Sequence, residues 1–327
     1  MTLKPGSGRE QENRTGSRYY PLFLMLVFFL ILLGYFLAWP IVMTDTDLWY
    51  HLSGGRYFWQ NGTIAHDAFF SYVTPPKSWY NYYWLFQAIV YKIYQWTNYY
   101  GLIVLRAILY FLTTLFIFLF LVRRYKNRTE LLFGLFLSIA CAFAILGREM
   151  AVRPHLFSYF FIVVFLYILE FRRDKIWLLP PLGIFWSNVH GIEYPVMFLM
   201  VFAYLAESYW RQFRRLPTGE MPGKRERWLL IFVFYTIFIT PGMFKLLQTP
   251  FQAAAYQHLY VSELIPIPFQ SFFVFAPVSV GGTIGLLLNL IVFLSAAFFL
   301  LSLWKRKLRL SHALLFIGAV LLLAKHG

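Results

Sequence analysis

From Tyr19 to Thr44 the chain runs for 26 residues without a charged side chain. A helix crosses a bilayer with about 20 apolar residues, within a range of about 17–25. This first run is therefore long enough to span a membrane. It exceeds the roughly 7–15 apolar residues of a secretory leader, and it passes through Trp39-Pro40 without a small-residue cleavage site. It reads as a retained anchor. Eight more apolar runs follow between charged clusters, giving nine candidate spans: 21–43, 101–122, 130–147, 155–171, 175–190, 193–210, 228–248, 281–304 and 310–325. The fifth is short and carries Pro180-Pro181. Proline removes a backbone donor, which lipid tolerates only where neighbours compensate.

Composition agrees with the runs. Of 327 residues, 60% are hydrophobic and 13% charged, where a soluble domain has roughly 45–50% and about 25%. A globule of this length cannot bury so much apolar surface. With 37 Phe, 23 Tyr and 11 Trp, the chain is also unlike disordered sequences, which are poor in aromatics. The single Cys141 excludes a disulfide framework and any metal site built on several cysteines.

The net charge is +15. On a soluble domain this would point to nucleic acid. Here 21 of the 29 basic residues fall in segments 1–20, 123–129, 171–175, 211–227 and 305–309, which lie on one side of the bilayer if the spans alternate. Cytoplasmic loops carry such an excess of Lys and Arg. The charge therefore reads as a topology signal with a cytoplasmic N-terminus, and nucleic acid is not an expected partner. The expected fold is an all-α integral membrane protein, a multi-span bundle of about nine helices. A basic cytoplasmic tail (1–20) precedes a single transmembrane domain (21–327), with long outer loops at 44–100 and 249–280 and juxtamembrane helices in the first.

That first loop concentrates the chemistry. Asp45 and Asp47 follow directly after the first span. Two carboxylates two apart can share a divalent cation such as Mg or Mn, or divide base and positioning roles. A helix beginning near Asp47 puts His51 one turn later on the same face, although Asp47 alone would also serve as an N-cap. Residues 78–100 carry eleven aromatics, the signature of a helix lying at the headgroup zone, either as a plain anchor or as a platform for a lipid substrate. Arg148, Glu149, Arg153 and His155 lie between the third and fourth spans, on the side poor in cations. Arginine's planar fork suits phosphate, and long side chains at span ends also reach the interface at little cost. His190 and Glu193 turn the chain between spans five and six, and Lys245 and Glu263 flank the second outer loop. All of these groups are expected around one outward-facing site. No phosphate-binding Gly-rich loop with Lys, His-Glu-x-x-His motif or Gly-x-Ser-x-Gly elbow occurs in the chain.

Three blocks carry a resemblance. The first is Thr44-Asp-Thr-Asp-Leu-Trp-Tyr-His-Leu-Ser-Gly-Gly-Arg-Tyr57, with Asp67-Ala-Phe-Phe-Ser-Tyr72 and Trp84-Leu-Phe-Gln87. The second is Arg153-Pro-His-Leu-Phe-Ser-Tyr159. The third is Leu178-Leu-Pro-Pro-Leu182 with Trp186-Ser-Asn-Val-His-Gly191. Together they resemble a bacterial family of polytopic membrane proteins classed with GT-C-fold glycosyltransferases, alongside protein O-mannosyltransferases and aminoarabinose transferases. The resemblance covers roughly residues 20–270.

It implies a bundle whose first outer loop holds an acid after span one, acting as general base or metal ligand in an inverting transfer. The donor is a sugar on a polyprenyl phosphate at the outer leaflet of the bacterial inner membrane, and the acceptor is a glycan, lipid or protein. Asp45 and Asp47 match the acidic position. Where relatives have acidic or His residues before the Trp-Leu pair, this chain has Asn81-Tyr82-Tyr83, and it ends soon after its last apolar run. Two other readings stay open: a lipid or sugar transporter or flippase, and a truncated, non-catalytic assembly protein of the same fold.

Overall fold

The computed structural model describes residues 7–41, 46–66, 80–124, 128–216, 222–249 and 280–326. Within these the chain is all-helical, with eleven α-helices, three short 3-10 turns and no strand. The helices are α1 (Ser7–Ala38), α2 (Thr46–Asn61), α3 (Trp84–Arg124), α4 (Arg128–Glu149), α5 (His155–Phe171), α6 (Leu179–Val189), α7 (Tyr194–Phe213), α8 (Lys224–Tyr235), α9 (Phe244–Gln248), α10 (Val280–Trp304) and α11 (Leu310–His326).

Among the described residues, α3 and α4 are long and apolar enough to cross a membrane. Shorter apolar helices cover Phe23–Ala38, His155–Phe171, Asn289–Trp304 and Leu310–Leu322. α1 ends just before Pro40, which cannot continue a helix. One stripe of α1 (Met25, Phe29, Leu32 and Phe36) is buried against α3 and α4, at the spacing of one helical face. The other faces are just as apolar and stay open: Leu30 and Ile31 are 57% and 65% exposed.

Two expected runs differ from single helices. In 175–190, a 3-10 turn (Arg173–Leu178) precedes the 11-residue α6. Pro180-Pro181 do not interrupt this helix; they sit in its first turn, where a missing N–H leaves nothing unsatisfied. At 1.5 Å per residue α6 is about 16 Å long, roughly half a bilayer core. The run 228–248 breaks after Tyr235 into a 3-10 turn, a left-handed Met243 (φ 41°) and the short α9. Side chains from elsewhere take up the loosened backbone groups. Asn188 Nδ2 donates to the Ile239 carbonyl at 2.9 Å, and the Gly242 N–H donates to the Tyr80 hydroxyl at 3.0 Å.

α5 is central. Its Leu156, Phe157, Phe161, Val164, Phe165, Ile168 and Leu169 belong to the largest core, shared with α2, α3, α6, α7 and α8. α3 kinks at Asn98 (φ 54°), dividing a segment packed on α2 from the longer apolar part. In that longer part Arg106 is fully buried. It donates to the carbonyls of Phe36 (3.0 Å), Trp39 (2.5 Å) and Met150 (2.8 Å), tying the ends of α1 and α4 to α3. These are orphan carbonyls that a helix end leaves without an internal donor.

A second polar cluster stands where α5, α7 and α11 meet. Arg309 bridges Glu170 (2.8 Å) and Glu207 (3.2 Å). Glu207 also accepts from the Ser311 backbone N–H at 3.0 Å and from the Ser311 hydroxyl, so a buried carboxylate caps the start of α11. Tyr204 donates to Glu170 at 2.7 Å.

Candidate functional site

α2 begins at Thr46, so Asp47 stands in its first turn and His51 one turn on, as the spacing predicts. α2 packs on the first segment of α3, and Gly54-Gly55 let it do so. A Cβ on Gly54 would collide with the Gln87 side chain, and one on Gly55 with the Gln87 carbonyl oxygen. The Gly-Gly pair is thus a close helix crossing. It holds Asp47 and His51 over the turns at Arg153 and His190.

Arg153 Nη1, in the turn before α5, lies 3.0 Å from Asp47 Oδ2, with Arg153 about one-quarter and Asp47 half exposed. His51 is 3% exposed, wedged edge-to-face against Tyr83 (5.4 Å) and Phe86 (4.9 Å). Its Nδ1 is buried without a hydrogen-bond partner. Burial, reinforced by the positive charge of Arg153 and by His155, pushes its pKa down to about 3, so the ring is neutral near pH 7. Burial likewise raises the pKa values of Tyr50, Tyr82 and Tyr83, with the last two rings 4.3 Å apart.

His190, at the C-terminal end of α6, is buried and lies 5.5 Å from the Tyr83 ring. Its Nδ1 is 2.6 Å from Ser158 Oγ, which in turn accepts from Trp186 Nε1 at 2.8 Å. Ser158 thus links Trp186 to His190, its hydroxyl able to donate to Nδ1 or to accept a second hydrogen bond from it. Trp84 Nε1 donates to Asn188 Oδ1 at 2.9 Å, and the Gly191 N–H donates to the Tyr82 carbonyl at 3.0 Å. Asn81 Oδ1 accepts from the Tyr83 N–H, and its amide donates to Gln87 Oε1 at 2.6 Å.

The structure therefore brings together Asp47, His51, Arg153, His155 and His190, with Glu193 one turn beyond His190 and within electrostatic reach of Tyr83. Lys245 is exposed on α9, next to Leu246, which packs against Gly191. Asp45 and Glu263 lie outside the described residues, as do the side chains of Arg148 and Glu149. Among the described residues no group of three His, Cys, Asp or Glu side chains is arranged to hold a metal ion. A two-carboxylate cation site would need Asp45 beside Asp47.

Tyr50, Tyr83, Ser158 and Trp186 join the site without having been singled out by residue type. Ser158, Trp186 and Asn188 nevertheless lie inside the quoted sequence blocks, and those blocks meet here: Trp84 on Asn188, Ser158 on Trp186 and His190, Asp47 on Arg153. No family model, curated protein or solved structure matches the chain.

Proposed function

We propose that the chain is a multi-span membrane glycosyltransferase of the inverting, polyprenyl-phosphate-dependent kind. The nine apolar runs would lie in the bilayer of a bacterial inner membrane, with the N-terminus cytoplasmic and the Asp47 site at the outer face. Apolar side chains left open on α1 and α10 support a lipid surround, because a water-exposed surface of that extent would associate. α6, α8 and α9 would be broken elements held within the bundle, where Asn188 and Tyr80 meet their free backbone groups.

The observation that carries the reading is the Asp47–Arg153 pair at 3.0 Å beside two buried histidines. An acceptor hydroxyl gives its proton to the carboxylate of Asp45 or Asp47. Its oxygen then forms a bond to the anomeric carbon from the face opposite the lipid phosphate. The carbon–oxygen bond to the phosphate breaks, and the phosphate leaves with the electron pair. Arg153, released from Asp47 as the donor arrives, takes up the growing phosphate charge. His51 and His190, the former neutral, offer hydrogen bonds to sugar hydroxyls without adding charge. Glu193 lines the same region.

The test is release of polyprenyl phosphate from synthetic polyprenyl-phosphate hexoses by the purified full chain in lipid. Asp45→Asn, Asp47→Asn and the double variant are compared with wild type. Loss of turnover in the double variant, with normal folding, is expected. Full turnover in all three would remove the acids from the chemistry.

Discontinuous helices favour one second reading. Transporters place their sites at such breaks, and α6 together with the broken run 228–248 adjoins the histidines. Movement of the intact lipid-linked sugar across proteoliposomes, without covalent change, would select transport over transfer.

A further inference from the structure

Where α7 runs out and α8 begins, aromatic and basic side chains stand exposed on both helices. Phe213 is 80% and Trp228 64% exposed, with Tyr209, Trp210 and Phe232 open beside them. Isolated apolar residues at a surface mean little, but large exposed rings beside cations mark an interaction site. Basic groups interleave with them. Arg214 lies over the Trp210 ring at 4.9 Å and Arg227 over Tyr209 at 5.0 Å. A surface concavity is lined by Lys224, Arg225, Trp228, Leu229 and Phe232.

The arrangement is built rather than frayed. Arg227 donates to Gln212 Oε1 at 2.8 Å, and Ser208 donates to the Pro222 carbonyl at 3.1 Å, so the two helix ends are fastened together. Glu226 folds back toward Gly223 at the start of α8, its carboxylate 2.7 Å from where a Gly223 Cβ would stand. Lys224 and Arg225 are left exposed and pointing from the first turn of the helix, where the peptide dipoles also favour an anion.

We propose that this α7–α8 end is a docking surface for anionic phospholipid headgroups of the adjoining leaflet. Lys224 and Arg225 would hold the phosphodiester, while Trp228 and Phe232 insert among the glycerol and upper acyl carbons. The charge is complementary. Rings with an apolar body beside cations are the side chains that settle at a headgroup layer, whereas a soluble acidic partner would not require Phe213 and Trp228 to stand open. The inference rests on membrane placement and not on sugar transfer, so it can fail while the proposed chemistry stands, and the reverse.

The experiment is native mass spectrometry of the purified full chain titrated with phosphatidylglycerol or phosphatidylcholine. Wild type is compared with Lys224→Gln/Arg225→Gln and with Lys305→Gln/Arg306→Gln. The second variant removes the same charge from another exposed basic turn. Phosphatidylglycerol retention is expected to fall at least about tenfold in the first variant, as two near-surface cations imply, and to hold in the second. Trp228→Ala should lower retention of both lipids.

Three results would overturn the proposal: equal retention of the two lipids by wild type, equal loss in both charge variants, or displacement of lipid from this surface by a co-purifying acidic protein or nucleic acid. Thermal melting equal to wild type confirms that the variants are folded. If Lys224→Gln/Arg225→Gln melts early, the Lys224→Gln and Arg225→Gln single variants carry the comparison.

Discussion

Asp47, in the first turn of α2, and Arg153, in the turn before α5, meet at 3.0 Å. Because Asp47 is half exposed, the pair adds little to folding, about 0–1 kcal/mol. Asp47→Asn should therefore melt close to wild type. If the carboxylate accepts the acceptor's proton, turnover falls by about 10²–10⁴-fold. Turnover and melting measured on one preparation separate the two roles. A variant that loses both equally would make the pair structural.

His51 supplies a pH dependence. Unfolded, it takes up a proton near its ordinary value of 6.5; folded, only near about 3. Above the higher value both states are neutral and pH has no effect through this group. As pH falls from 6.5 toward 3, the unfolded chain binds the proton first, and the fold loses about 1.4 kcal/mol per pH unit. His51→Gln should flatten that acid limb, read as melting temperature against pH in detergent. An unchanged limb would assign the acid sensitivity elsewhere.

Arg106→Leu should be among the most damaging single changes. It strands the carbonyls of Phe36, Trp39 and Met150 in the core. Each lost partner costs about 1–3 kcal/mol. Arg106→Lys should rescue little, because an ammonium cannot span three acceptors in the fixed geometry of the guanidinium fork. Unfolding midpoints of the two variants check this directly.

Gly55→Ala is expected to push α2 away from α3, because its methyl meets the Gln87 carbonyl oxygen, which cannot swing aside. Gly54→Ala meets only the Gln87 side chain and should be milder. Overpacking of this kind costs about 1–3 kcal/mol. Turnover should fall further in Gly55→Ala, since α2 carries Asp47. Equal effects on stability and activity in both variants would argue against the crossing as the site's scaffold.

Arg309→Leu leaves Glu170 and Glu207 facing each other's charge without their shared cation. Removing one partner of a buried ion pair costs about 3–5 kcal/mol, and less here because Arg211 still meets Glu207 at 2.9 Å and His312 still faces Glu170. The damage should be greatest at α11, whose start is capped by Glu207. Faster proteolysis near residues 305–310, ahead of global unfolding, is the expected readout.

Much of the helical pattern was legible from local signals. The charge-bounded run 155–171 is α5 residue for residue, and the Asp47–His51 spacing is a turn of α2. These hold because helix formation and its apolar face depend on residues three and four apart. The runs 175–190 and 228–248 show the limit of the same signals, since neither is a single helix. Hydropathy registers apolar character, and a 3-10 turn or a left-handed Met243 leaves it unchanged. Glu207 gave no sign either: on sequence it is an acid near a run's end, and its worth comes from Arg309 and Ser311, about one hundred positions away.

By itself the sequence determined an apolar, helical, strongly basic chain with Asp45, Asp47 and His51 close together after its first apolar run. Only the tertiary structure decided that Arg153 answers Asp47, that Trp186 orders Ser158 and His190, and that Asn188 and Tyr80 mend a broken helix. Hydrogen bonds and ion pairs act over about three ångströms. Their partners are chosen by which helices pack, and packing is settled by the whole chain at once.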